Sequence, residues 1–150
     1  MTDRYLDDLT VGDAWTGEPF VLTEAEIVAF AREFDPQPMH IDPDSDQARR
    51  FGGLIASGWH VASRVMREFV DAKIFGDVPL LGLGIDDLRW RRPVRPGDRL
   101  TVRREVLEVV PSEKQPDRGR VRTITQVTNQ DDDLVMSFEN WMQLMRRPAG

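Results

Sequence analysis

Beyond residue 80 the chain reads as strand after strand. Residues 80–94, 98–110, 119–130 and 134–146 are four long extended segments. They are separated by Pro93 and Pro96-Gly97-Asp98, by Pro111 to Arg118, and by Gln130-Asp131-Asp132-Asp133, all rich in turn formers. No helical stretch intervenes to carry a parallel crossover, so these strands build a mostly antiparallel sheet. Only one long amphipathic segment precedes them, from Gly58 to about Ile74. There Val61, Ala62, Val65, Met66, Phe69 and Ala72 form one apolar stripe, and Arg64, Arg67, Glu68, Asp71 and Lys73 take much of the rest. A strand in the lead-in, then helices, then four strands implies an α+β fold in which the long helix buries its stripe on one face of the sheet. At 150 residues the chain is expected to be one domain, 1–150. Alternation shows in Leu100/Val102 and in Leu134/Met136/Phe138. It falters at Arg103-Arg104, where a bulge or an edge is expected.

The first third of the chain is punctuated by caps and prolines. Val11-Gly12-Asp13 is a turn, and Gly17 and Pro19 break the extended piece that follows. Thr23-Glu24-Ala25-Glu26 is a capping box and predicts a helix start. Ile27, Phe30, Ala31 and Phe34 then fall on one helical face until Pro36 stops it. Asp35 thus sits just past a helix C-terminus, whose partial negative charge would raise its pKa slightly. Pro36, Pro38 and Pro43 fix φ three times, so residues 35–46 should be a stiff loop rather than a regular element. Ser45 to Phe51 suits a short helix capped by Ser45 and ended by Gly52-Gly53.

Both histidines and a glycine-led helix start lie within this region. Asp35 and His40 could act as an acid/base pair, since imidazole exchanges a proton near neutral pH and a carboxylate can orient a water. They could equally be a turn aspartate and a hydrogen-bonded loop histidine. The free N–H groups near Gly58 and Trp59 could hold an anion or a developing oxyanion, with Ser57 and Ser63 as nearby hydroxyls. Gly58 and Ser63 also suit plain conformational and packing needs. His60 reads as a packing or hydrogen-bonding residue. His40, Asp42, Asp44 and His60 do not follow a metal-ligand spacing, so no metal is expected. Arginines 89, 91, 92, 95, 99, 103 and 104 are either a solvated face balanced by Asp86, Asp87 and Asp98 or a phosphate-binding group. Trp90 and Trp141 read as core or interface residues.

Composition narrows the setting. A net charge of −6 argues against a general nucleic-acid binder. The absence of cysteine removes disulfides, thiolate catalysis and cysteine metal sites. No apolar run approaches the ~18 residues of a membrane span, and the acidic start lacks an apolar signal core. A cytoplasmic protein without membrane partners is expected.

Three runs taken together carry a family resemblance. Phe34-Asp35-Pro36-Gln37-Pro38-Met39-His40-Ile41-Asp42, Phe51-Gly52-Gly53-Leu54-Ile55-Ala56-Ser57-Gly58-Trp59-His60 and Arg92-Pro93-Val94-Arg95-Pro96-Gly97-Asp98 resemble, in this order, the MaoC-like dehydratases, including the R-specific enoyl-CoA hydratases. The resemblance implies a hot-dog fold, an antiparallel sheet wrapped around one long central helix, and a homodimer. It implies a hydro-lyase that needs no cofactor. Asp35 and His40 would activate a water that adds to a trans-2-enoyl thioester, a CoA ester above all, giving the (R)-3-hydroxyacyl product. The Gly58 N–H would bind the thioester oxygen. Ser57, Ser63, Pro38 and Trp59 would be substrate contacts. Ser57 stands where the family often has histidine, and Gln37 where asparagine is common, which bears on the acyl group more than on the chemistry. Competing possibilities are an acyl-CoA thioesterase and a non-catalytic acyl-CoA-binding or regulatory protein.

Overall fold

The computed structural model describes residues 2–150. Strands β3 (Leu80–Trp90), β4 (Arg99–Pro111), β5 (Arg118–Thr128) and β6 (Leu134–Met145) are the four long segments read from the sequence. Two short strands, β1 (Ala14–Thr16) and β2 (Phe20–Val21), both pair antiparallel with β4. The sheet runs β1-β4-β5-β6-β3, with β2 also on β4, and every pairing is antiparallel. β3 returns to the far edge beside β6.

Four helices lie between β2 and β3: α1 (Glu24–Phe34), α2 (Pro38–Ile41), α3 (Asp46–Arg50) and α4 (Gly58–Ala72). α4 is the long one, and Lys73 ends it in the left-handed conformation with φ 48°. Val61 and Val65 of α4 bury against Leu100 and Val102 of β4, Val127 of β5 and Met136 of β6. Phe69, one turn on, packs with a second cluster that includes Val106, Val121, Met142 and Leu144. The helix thus spans β4, β5 and β6, and the alternation of β4 turns Leu100, Val102 and Val106 toward it. The stripe is narrower than its periodicity suggests, for Met66 is exposed. A register covers only as much of a helix as a neighbour reaches.

Arg103-Arg104 is neither bulge nor edge. The two residues pair regularly with Gln126 and Thr125, and the register shift in β4 lies at Val106/Glu108. Arg104 breaks the apolar alternation because it points inward. Its guanidinium bonds Glu68 of α4 at 2.6 Å and the Val65 carbonyl at 3.1 Å. Charge pairing across the helix–sheet interface does here what a valine would do elsewhere.

α1 follows its capping box. Thr23 Oγ1 accepts from the Glu26 N–H at 3.1 Å, and Glu26 Oε1 accepts from the Thr23 N–H at 3.3 Å. Ile27 and Ala31 are buried as expected, but Phe34, at the last turn, is exposed. Residues 35–46 contain α2, where an irregular loop was expected. Pro38 occupies its first turn, where a missing N–H costs nothing and a φ near −65° is already helical. α3 is capped by Ser45 Oγ, which accepts from the Ala48 N–H. Gly53, at φ 136°, then closes it with a 2.8 Å bond to the Ala48 carbonyl. Among the described residues no helix is long and apolar enough to cross a membrane.

Candidate active site

Two successive helix ends bring the acid and the base together. Asp35 is the C-cap of α1, and Pro36 turns the chain out of that helix. The single turn of α2 then aims His40 inward, where it is 4% exposed. His40 Nε2 lies 3.3 Å from Asp35 Oδ2. Its other ring nitrogen, Nδ1, is 2.7 Å from the Ile55 carbonyl oxygen. A carbonyl can only accept, so Nδ1 carries a hydrogen and Nε2 is the nitrogen that takes up or releases a proton.

Asp35 is held charged, contrary to the expectation from its place at a helix end. Burial opposes the charge and is the largest single influence. The hydrogen bond from Gln37, the Ser57 hydroxyl and the His40 ring together outweigh it, so the pKa falls below the ordinary aspartate value. The Gln37 amide donates to Asp35 Oδ1 at 2.7 Å. Ser57 Oγ is buried and close enough to favour the carboxylate, yet makes no hydrogen bond of full geometry. The dipole of α1 is thus overridden by donors aimed directly at the carboxylate.

The segment leading into α4 is stitched to both sides of the site. Ile55 donates to the Met39 carbonyl at 3.1 Å, and Ala56 donates to the Val94 carbonyl at 2.8 Å. Arg95 donates to the Phe51 carbonyl, placing its guanidinium against Gly52 and Gly53. These bonds set Ser57 beside Asp35 and Gly58 one residue further on. The Gly58 and Trp59 N–H groups open α4 with no acceptor among the described residues. Here the dipole and free donors of the helix favour negative charge.

The remaining candidates scatter more. Trp59 is 60% exposed and meets Trp90 edge-on at 5.0 Å between ring centroids. Trp90 is therefore not a core residue; it lies against Gly58. Ser63 is exposed, and its hydroxyl is spent on the Trp59 carbonyl at 2.7 Å. Pro38 starts α2, and its carbonyl accepts from Asp42 N–H and from Ser45 Oγ. His60 is buried and stacked on Phe30 at 4.6 Å, a packing role; burial first, then Arg64, lowers its pKa against the pull of Glu26. Most of the arginine group is engaged with neighbours: Arg89 with Asp87, Arg91 with Ser137, Arg92 with Asp133, Arg103 with Glu105. No three His, Asp or Glu side chains gather as a metal site among the described residues. Two participants escaped the sequence reading. The Gln37 amide could have been suspected as a donor two residues from an aspartate, whereas the Ile55 carbonyl leaves no sequence signal.

The assembly joins an ionised carboxylate, an imidazole with a directed Nε2 and a helix N-terminus. That set can position water, exchange protons and stabilise a developing oxyanion. Residues 10–129 match the protein family described as the MaoC-like domain. The protein YdeM of Bacillus subtilis strain 168, itself uncharacterized, is 32% identical over 120 residues, covering 80% of this chain and 82% of that protein. A MaoC-like dehydratase from Rhodospirillum rubrum superposes with a TM-score of 0.87 at 39% identity, covering 97% of this chain and 99% of the other. The R-hydratase PhaJ1 from Pseudomonas aeruginosa superposes at 0.71 with 28% identity, covering 97% and 92%.

Proposed function

Since this chain belongs to the MaoC-like family and has its hot-dog fold, we propose that it is a hydro-lyase interconverting a trans-2-enoyl thioester, most simply a CoA ester, and the (R)-3-hydroxyacyl thioester. The observation that carries this reading is His40 Nε2 at 3.3 Å from a charged Asp35. When the imidazole is neutral, both groups are acceptors facing each other. A molecule donating two hydrogens satisfies both, and water is the smallest that can.

In this mechanism the water oxygen forms a bond to C3 of the enoyl group. One of its protons passes to the Asp35–His40 pair as electron density moves to the thioester oxygen. The Gly58 N–H supports that enolate, and Ser57 and Trp59 border it. C2 then takes a proton from the pair, so the sum is H and OH across the double bond. Removing one oxyanion donor in such sites costs about 10²–10³ in rate. The unpaired edge of β3 exposes Leu81, Leu83 and Ile85, and α4 exposes Met66 and Val70. This apolar surface supports a homodimer as part of the same proposal, as a cytoplasmic setting does for a CoA thioester.

The test is loss of enoyl thioester absorbance with crotonyl-CoA and longer enoyl-CoAs, beside His40→Ala and Asp35→Ala. Hydration by the wild type only, with a 3-hydroxyacyl product, is expected. Release of free CoA would instead mark a thioesterase. An active Asp35→Ala enzyme would sink the assignment.

A further inference from the structure

We propose that Trp90 sets the acyl-length specificity of this site, closing the space over Gly58 so that short 2-enoyl thioesters are admitted and long ones rejected. The proposal rests on the hydratase reading above and adds to it the residue that selects the substrate.

Trp90 is the last residue of β3, and its position relative to α4 is fixed from two sides. The chain just beyond it is tied to the approach to Gly58 by the bond from the Ala56 N–H to the Val94 carbonyl. Its indole rests against Gly58 itself. A Cβ at residue 58 would come within 2.5 Å of Trp90 Nε1 and 2.8 Å of Cδ2, closer than real Cβ atoms come to anything. The ring is braced edge-on by Trp59, with planes at 80°. Both indoles keep much of their surface open, 45% for Trp90 and 60% for Trp59. A core tryptophan would not, and two large rings left open at the start of α4 are placed to meet something apolar.

A thioester oxygen bound by the Gly58 N–H lies about 3 Å from it. At that distance the acyl group sets off beside the indole packed on the same residue, so that a short chain ends before the ring and a longer one has to pass it. Tryptophan is rigid, with two side-chain torsions, so it forms a wall rather than a yielding surface. Gly58 is required for the same reason, since any side chain there would displace the wall. Ser57, the N-cap of the same helix, is buried and its hydroxyl lacks a full hydrogen bond.

The experiment measures kcat/KM for crotonyl-, octenoyl- and dodecenoyl-CoA with the wild type, Trp90→Ala and Trp90→Phe. The wild type should favour crotonyl-CoA. In Trp90→Ala the octenoyl-to-crotonyl ratio should rise about tenfold or more, the scale on which apolar contacts discriminate substrates. Trp90→Phe should fall between. An unchanged ratio, or an equal loss on all three substrates, would show a packing role only and overturn the assignment. If Trp90→Ala does not fold, as read by circular dichroism, the same ratio in Trp90→Phe and Trp90→Leu decides. A wild type that hydrates no enoyl-CoA refutes the hydratase reading and this assignment with it. Hydration with an unchanged ratio refutes this assignment alone.

Discussion

Replacing Arg104 by methionine should loosen the long helix from the sheet at one point. Arg104 and Glu68 side chains are 7% and 9% exposed, with Nη1 2.6 Å from Oε2. Burial pulls the guanidinium below its ordinary pKa, while Glu68 opposes the shift. The same group bonds the Val65 carbonyl and lies 4.9 Å from the centre of the Phe69 ring. Without the arginine, the Glu68 carboxylate is left buried without its ion partner, and its Oε1 already lacks a hydrogen bond. Breaking a buried pair on one side costs about 3–5 kcal/mol. With an unfolding entropy near 2.1 cal/mol/K per residue, a chain of this size loses roughly 3 °C per kcal/mol, so Tm should fall by about 10–16 °C. The assay is calorimetry at fixed protein concentration, since association would shift Tm by mass action. The double variant Arg104→Met/Glu68→Leu should recover most of the loss, because two apolar side chains leave no stranded charge. A single variant within about 1 kcal/mol of wild type, or a double variant as unstable as the single, would refute the reasoning.

Other expectations follow from the same geometry. Gln37→Ala removes a donor that lowers the Asp35 pKa, so that pKa should rise and the acid limb of the kcat/KM profile should move to higher pH. The sign also holds for folding. A depressed carboxylate pKa adds stability above the unfolded value and loses it as pH falls through the folded one, so the variant should gain less on going from acid to neutral pH. Thr23→Ala breaks the cap of the helix that carries Asp35 and should cost about 0.5–2 kcal/mol in guanidinium denaturation. No change would mean that the burial of Ile27 and Ala31 alone holds α1. His40→Ala should lower kcat/KM by about 10² or more while the melting transition persists, a loss typical of a missing general acid/base.

The physics that decides a local conformation acts over a few residues, and there the sequence sufficed. Thr23 and Glu26 bond each other, Pro36 ends α1, Ser45 caps α3, and the last three extended runs, with turn residues between them, pair in succession, whereas β3 crosses to the far edge beside β6. The motif residues Asp35 and His40 were visible for the same reason, being joined by one turn of chain. Even so, Pro38 started a helix where three prolines suggested none, because a first-turn N–H is dispensable. What the sequence could not decide is which surfaces meet. Phe34 and Met66 have the right period for burial and stay exposed, because no neighbour reaches them. Arg104 and Glu68 lie 36 residues apart, and neither announces that it will be buried; only the crossing of α4 over β4 makes them a pair. The Ile55 carbonyl that fixes the proton on His40 Nδ1, and the Trp90 ring set against Gly58, arise in the same way. Hydrogen-bond direction and steric closure depend on separations of a few ångströms between distant segments, and those are settled only when the core packs.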